Sequence, residues 1–332
     1  MSVFGFNRIR KYLSTPGHTD GVFRNLTSSL DDAEWIVKLY YAASVYFTAQ
    51  LLTSVDDIAK RTDAWDFLWP LAWLEGRNID FSLQLLSVAC FLSSLIAFQF
   101  YRNIVARIIF SVLFLVVATV PNSLGGINHP YHAWMWVGFV FIFLPDGNIG
   151  QLDRGGKLAY LTVIRMAQAM FLLTYSMSGA WKVYFGTIDA LAGRTGNFSP
   201  QALSWTLADR VLQTGTDPLF ADVLIRNYWL AWPMFLLLIY IQVVSIAISF
   251  RPRLHLVWGY LLIGFHLGTW LLMKIMFSEQ VLLLIILLVL SPQRRALSNP
   301  VEALRDLPMV GWAFRRHRNL RAHLGVTSRF RT

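Results

Sequence analysis

Runs of mostly apolar residues recur along the chain at about 34–54, 81–100, 104–121, 130–145, 158–185, 228–249, 254–272 and 275–291. Most approach the roughly 20 residues that a helix needs to cross a bilayer core. The pattern predicts an all-α integral membrane protein, a polytopic bundle of about eight transmembrane helices. The last two runs are almost continuous, yet a single helix from Leu254 to Leu290 would rise roughly 55 Å at 1.5 Å per residue, well beyond a hydrocarbon core of about 30 Å. The polar stretch "MKIMFSEQ", around Lys274 and Glu279, is the predicted break. The chain divides into an N-terminal segment 1–30, a transmembrane domain 31–292 and a basic tail 293–332.

Composition strengthens this reading. Of 332 residues, 55% are hydrophobic and 14% charged, against about 25% charged in ordinary soluble domains. Thirteen tryptophans suit interfacial belts at headgroup level. The N-terminus lacks the apolar core of a signal peptide, so the first run is expected to act as an uncleaved anchor. Cys90 is the single cysteine, which excludes an intramolecular disulfide and any cysteine-cluster metal site or CxxC motif.

The net charge is +10, and its distribution follows topology rather than nucleic-acid binding. Arg8, Arg10, Lys11, Arg24, Arg102, Arg154, Lys157, Arg251, Arg253 and the tail arginines collect on one side if the spans alternate. That asymmetry predicts both termini in the cytoplasm. The tail mixes cations with Leu, Val, Trp and Phe and is expected to lie on anionic membrane lipids. No nucleic-acid partner is expected.

Ionisable residues inside spans are costly and mark candidate functional positions. Lys38, Arg107 and Arg165 fall near the predicted cytoplasmic ends, where long side chains snorkel to headgroups, and Lys274 can snorkel outward. Lys182 lies 17 residues beyond Arg165, or about 25 Å along a helix, near the opposite edge. Tyr175, Ser178, Gly179 and Lys182 share one helical face, whose small residues suit helix packing. His266 lies in the outer half of its span. His129 and His132 precede or begin the fourth run, where Asn128 and Pro130 suit a helix start. Topology allows His129, Lys182 and His266 to converge on one extracytoplasmic pocket, with a lysine that desolvation turns into a general base and histidines that orient a substrate or relay a proton. No metal site is suggested, since His and carboxylates do not cluster at ligand spacing.

Three segments, "INHPYHAWMWVGFVFIFLP", "YSMSGAWKV" and "FHLGTWLLMKIMFSEQVLLL", resemble, in order, the transmembrane domain of vitamin K-dependent gamma-glutamyl carboxylases and their bacterial HTTM relatives. The likeness covers about residues 30 to 292. It implies that Lys182 is the base that deprotonates a lipid quinol of the vitamin K hydroquinone or menaquinol type, with His129 and His266 assisting. Asn128, Tyr175 and Trp181, in or beside the same motifs, become candidate substrate-binding residues. Trp181 stands where animal carboxylases commonly carry a second lysine. A large extracytoplasmic domain is not expected in this chain, so processive protein carboxylation by it alone is not expected either.

The resulting expectation is a multipass protein of a bacterial inner membrane that modifies a peptide or small molecule in an outward-facing pocket. Two alternatives stay open. One is a non-catalytic accessory protein that holds a peptide or partner membrane protein during maturation or export. The other is a small-solute transporter, although the inner half of the spans offers few of the distributed polar residues that a transport path needs.

Overall fold

A computed structural model describes residues 19–59, 65–124, 131–216, 218–293, 303–304 and 306–308. Among them there is no β-strand. The helices are α1 (Thr19–Ala59), α2 (Ile79–Gln99), α3 (Ile104–Ala118), α4 (His132–Phe141), α5 (Arg154–Leu191), α6 (Ala202–Thr214), α7 (Ala221–Arg226), α8 (Tyr228–Ile248), α9 (His255–Met273) and α10 (Ser278–Leu284). The last passes directly into a π-helical turn, Ile285–Val289. Each of the eight apolar runs coincides with a helix. Among the described residues, five helical segments are long and apolar enough to cross a membrane: Ile79–Gln99, Ile104–Ser123, Arg154–Leu191, Tyr228–Ile248 and Pro252–Met273.

Helix starts are written locally. Asn78 caps α2 by accepting the Phe81 N–H at 3.1 Å, Asn103 caps α3 through Val105 N at 2.8 Å, and Asp153 caps α5 through Gly156 N at 2.7 Å, each satisfying a donor the helix cannot. The predicted break after α9 occurs at Lys274, whose φ of 54° is left-handed. A non-glycine residue in that region strains the backbone, and the strained residue ends one helix four residues before the next begins.

α5 is the hub, packing chiefly against α8 and also against α4, α1 and the π turn, while α1 pairs with α2. The α5–α8 seam depends on small residues. A Cβ on Gly179 would come within 2.5 Å of the Val243 backbone nitrogen, so only glycine admits this approach. Beside it, Ser176 Oγ accepts the Ile246 N–H at 2.9 Å and donates to the Gln242 carbonyl at 3.2 Å. The buried face of α5 here carries Leu172, Tyr175, Ser176 and Gly179, whereas Ser178 is exposed and Lys182 half-buried. Across the bundle, Tyr40 stacks on Trp134 and donates to its carbonyl at 2.9 Å, and Trp134 Nε1 donates to Ser44 Oγ at 2.8 Å.

Three expectations change. Arg107 does not snorkel: it is 1% exposed, because its guanidinium is drawn inward by the carbonyls of Tyr101, Ile142 and Leu144 and by Asp146. The fourth run gives a helix of only ten described residues, about 15 Å long, since its chain unwinds at Ile142–Leu144 to meet that arginine. Between the fifth and sixth apolar runs, where no element was predicted, the chain forms α6 and α7, which bury Leu203, Leu207 and Leu224 against Ala231, Phe235 and Ile239 of α8. In the tail, Asp306 receives Arg251 at its carbonyl and faces Arg253 at 3.6 Å through its carboxylate. Pro308 accepts the Tyr240 hydroxyl at its carbonyl at 2.8 Å, and residues 294–302, 305 and 309–332 lie outside the described residues.

Candidate functional site: an apolar cavity around Tyr175 and His266

A cavity of about 560 Å³ lies between α4, α5, α8, α9 and the start of α10. Its walls are mainly apolar, with His132, Thr174, Tyr175, Ser178, Gln242, His266 and Gln280 as the polar exceptions. Volume and character fit a small-molecule site. Trp136 and Met177 also line it and are exposed on the surface of the bundle, so the mouth opens sideways between α4 and α5.

The polar centre is one hydrogen bond, Tyr175 Oη to His266 Nε2 at 2.6 Å. Tyr175 is held by an edge contact to Phe171, and the imidazole is walled by Phe265 and Phe277 with ring centroids at 4.9 and 5.2 Å. His266 is 3% exposed, and its Nδ1 has no partner among the described residues. If the tyrosine donates to Nε2, Nδ1 carries a proton without an acceptor; in the other tautomer Nδ1 is an acceptor without a donor. Either form leaves one hydrogen bond unmade, at a cost of about 1–3 kcal/mol. Gln242, also 3% exposed, adds a second unpartnered atom, Oε1.

Of the residues singled out by sequence, Tyr175 and His266 meet in the cavity. Lys182 is not among the lining residues. Its Nζ donates to Ser178 Oγ at 2.8 Å, and Ser178 lines the wall, so the amine stands one hydrogen bond behind the cavity. Its carbonyl takes an N–H from Asn197 at 3.1 Å, which fastens α5 to the loop before α6. Asn128 and His129 lie outside the described residues. His132, three residues on, does line the cavity.

Trp181 lies away from this cavity. It is 65% exposed, packs against Phe185 and Tyr184, and is not among the residues that line the cavity. Six residues from Tyr175 correspond to about 600° of helical rotation, which turns Trp181 well away from the face that Tyr175 presents. Sequence reasoning also passed over Gln242 and Gln280, because uncharged amides were not counted among the costly residues. Their position in apolar runs was the available signal.

Among the described residues no group of three or more His, Cys, Asp or Glu is placed to hold a metal ion. Comparison with protein-family models, with curated proteins and with solved structures finds no match to this chain.

Proposed function

We propose that the protein is a multipass inner-membrane protein whose cavity receives the head of a lipid-soluble quinol, and that it uses this cavity to modify a peptide or small molecule. The observation that carries the reading is the buried Tyr175–His266 pair with an unmade hydrogen bond at Nδ1, inside an apolar cavity that opens on the flank of the bundle. A ligand arriving from the lipid phase meets this mouth without crossing water.

The residues fit such a guest. The acceptor tautomer of His266 takes a quinol hydroxyl at Nδ1, while Phe265, Phe277 and Trp136 supply ring contacts. A bound quinol would supply two electrons and two hydroxyl protons. The chain's own part is to orient that head, exclude water and accept a proton, with Lys182 behind Ser178 as the nearby amine. The resemblance of the three ordered motifs to the HTTM domain supports the same reading, and the proposal includes an eight-crossing topology with both termini in the cytoplasm, of which five helices are long and apolar enough to cross among the described residues.

Photolabelling tests it. A short-chain azidoquinone is expected to label peptides of α4, α5 and α9 in membranes, with labelling suppressed by excess unlabelled quinone. Uniform labelling of all spans would count against the cavity.

A second reading rests on a different observation. Trp181, Tyr184 and Leu191 of α5, with Trp205 and Leu212 of α6, are exposed together with the neighbouring Phe220, as an accessory protein that holds a membrane partner would require. On that reading Lys182→Ala leaves function intact while changes in α6 and α7 abolish it.

A further inference from the structure

At the other end of α4 the bundle has a second, polar cavity of about 440 Å³, lined by Gln99, Phe100, Tyr101, Arg102, Asn103, Asp146 and Gly147. Two segments form it, the α2–α3 turn and the chain after α4, fastened by Gly147 N donating to the Arg102 carbonyl at 3.3 Å. We propose that this cavity binds the headgroup of phosphatidylethanolamine from the surrounding membrane.

The charge arrangement points to a zwitterion. Arg102 gives Nε and one terminal nitrogen to Glu34 and lies over the Tyr101 ring, and its side chain, which lines the cavity, is still 41% exposed. Asp146 gives Oδ1 to Arg107, leaves Oδ2 without a partner among the described residues, and is 53% exposed. Both line one cavity, yet they do not pair with each other. A guest with one negative and one positive group satisfies both at once.

The other nearby charges do not undo this. Lys38 sits 3.9 Å from Glu34 and over the rings of Trp35 and Tyr101, and Arg107 is buried. Burial, and then the adjacent Glu34 carboxylate, push the Tyr101 hydroxyl up to about 12, so it stays neutral. Counting Lys38, Arg102 and Arg107 against Glu34 and Asp146 leaves one positive charge in excess, which suits the phosphate.

The surroundings suit acyl chains. Phe100, Ile104, Val105 and Phe143, on the same two segments, are exposed apolar residues. The cavity also lies at the end of the bundle where α2 and α4 finish and α3 and α5 begin, the level of headgroups if these helices cross a bilayer. A primary ammonium can donate N–H bonds to Asp146 Oδ2; the trimethylammonium of phosphatidylcholine cannot, so the carboxylate distinguishes two lipids that share a phosphate.

The test uses full-length protein in nanodiscs of equimolar phosphatidylethanolamine, phosphatidylcholine and phosphatidylglycerol, with mass spectrometry of lipid retained after detergent washing. Phosphatidylethanolamine is expected to be retained over phosphatidylcholine by about tenfold, the scale of one charge-assisted hydrogen bond, and to decline stepwise across the mono- and dimethylated headgroups. Asp146→Asn should abolish the preference, while Asp153→Asn, a change that keeps a good helix cap at the same end, should leave it unchanged. Should Asp146→Asn fail to fold, the methylation series on the natural chain decides alone. Equal retention of all three lipids, a preference for phosphatidylglycerol, or displacement by millimolar phosphoethanolamine without acyl chains would each overturn the proposal.

Discussion

The Arg107 end and the His266 end of the bundle each bury an ionisable side chain, and they treat it in opposite ways. Arg107 meets three carbonyls and a carboxylate, and among the described residues only its Nε is left without a partner. His266 has one partner, Tyr175, and a cavity beside it. A charge surrounded by partners holds segments together; a polar group short of a partner and next to open volume is suited to a guest. Burial alone therefore does not mark a site, whereas burial with an unmade bond and adjoining space does.

The largest expected effect lies at the structural end. Arg107→Met should lower stability by about 3 kcal/mol, since it strips partners from three carbonyls and leaves Asp146 unpaired. Thermal unfolding in detergent measures this, and a change below about 1 kcal/mol would break the contrast. Next comes the seam that carries Tyr175. Gly179→Ala pushes a methyl into the Val243 backbone and should cost about 1–3 kcal/mol, seen as a lowered midpoint and weakened ligand retention together.

Smaller effects on stability belong to the cavity end. His266→Phe should lower stability by about 1–2 kcal/mol, because the replacement fills similar volume and removes the unsatisfied Nδ1 but leaves the buried Tyr175 hydroxyl without its histidine partner. Ligand binding should nevertheless fall by tenfold or more, so the two readouts separate. Lys182→Met should alter stability by no more than about 0.5 kcal/mol, as expected for a half-buried amine with a single partner on its own helix. In a turnover assay it should remove activity while quinone binding persists; unchanged turnover would favour the accessory reading.

How much of this was legible in the sequence follows from the range of each interaction. Helices follow from runs of apolar residues and from local caps, so the eight runs and the break at Lys274 could be read directly. α6 was overlooked because it is short and amphipathic, with Leu203 and Leu207 as its only sign of a buried face. The fate of Arg107 depends on the Ile142 and Leu144 carbonyls and on Asp146, all more than thirty residues away, and the Tyr101 carbonyl six residues before it does not announce them. The π turn is likewise set from outside: Leu290 N reaches back five residues to the Ile285 carbonyl at 2.9 Å, while Gln168 Nε2 holds the Leu287 carbonyl at 2.7 Å.

The site was legible in part for the same reason. Tyr175 and His266 stood out as polar groups in apolar runs, and the structure joins them. Lys182 was placed on the correct helix, but the serine between it and the cavity depends on a rotamer that spacing does not determine. Trp181 shows how sharply a helix face is defined, since one residue before Lys182 already faces away.

The central claim concerns a quinol at Tyr175 and His266. Its most direct measurement is mass spectrometry of the lipid-soluble molecules that remain with protein purified in native lipid, comparing the natural chain with His266→Phe at equal thermal stability. About one quinone per natural chain is expected, and little in the variant. Quinone absent from both, or retained equally by both, would contradict it.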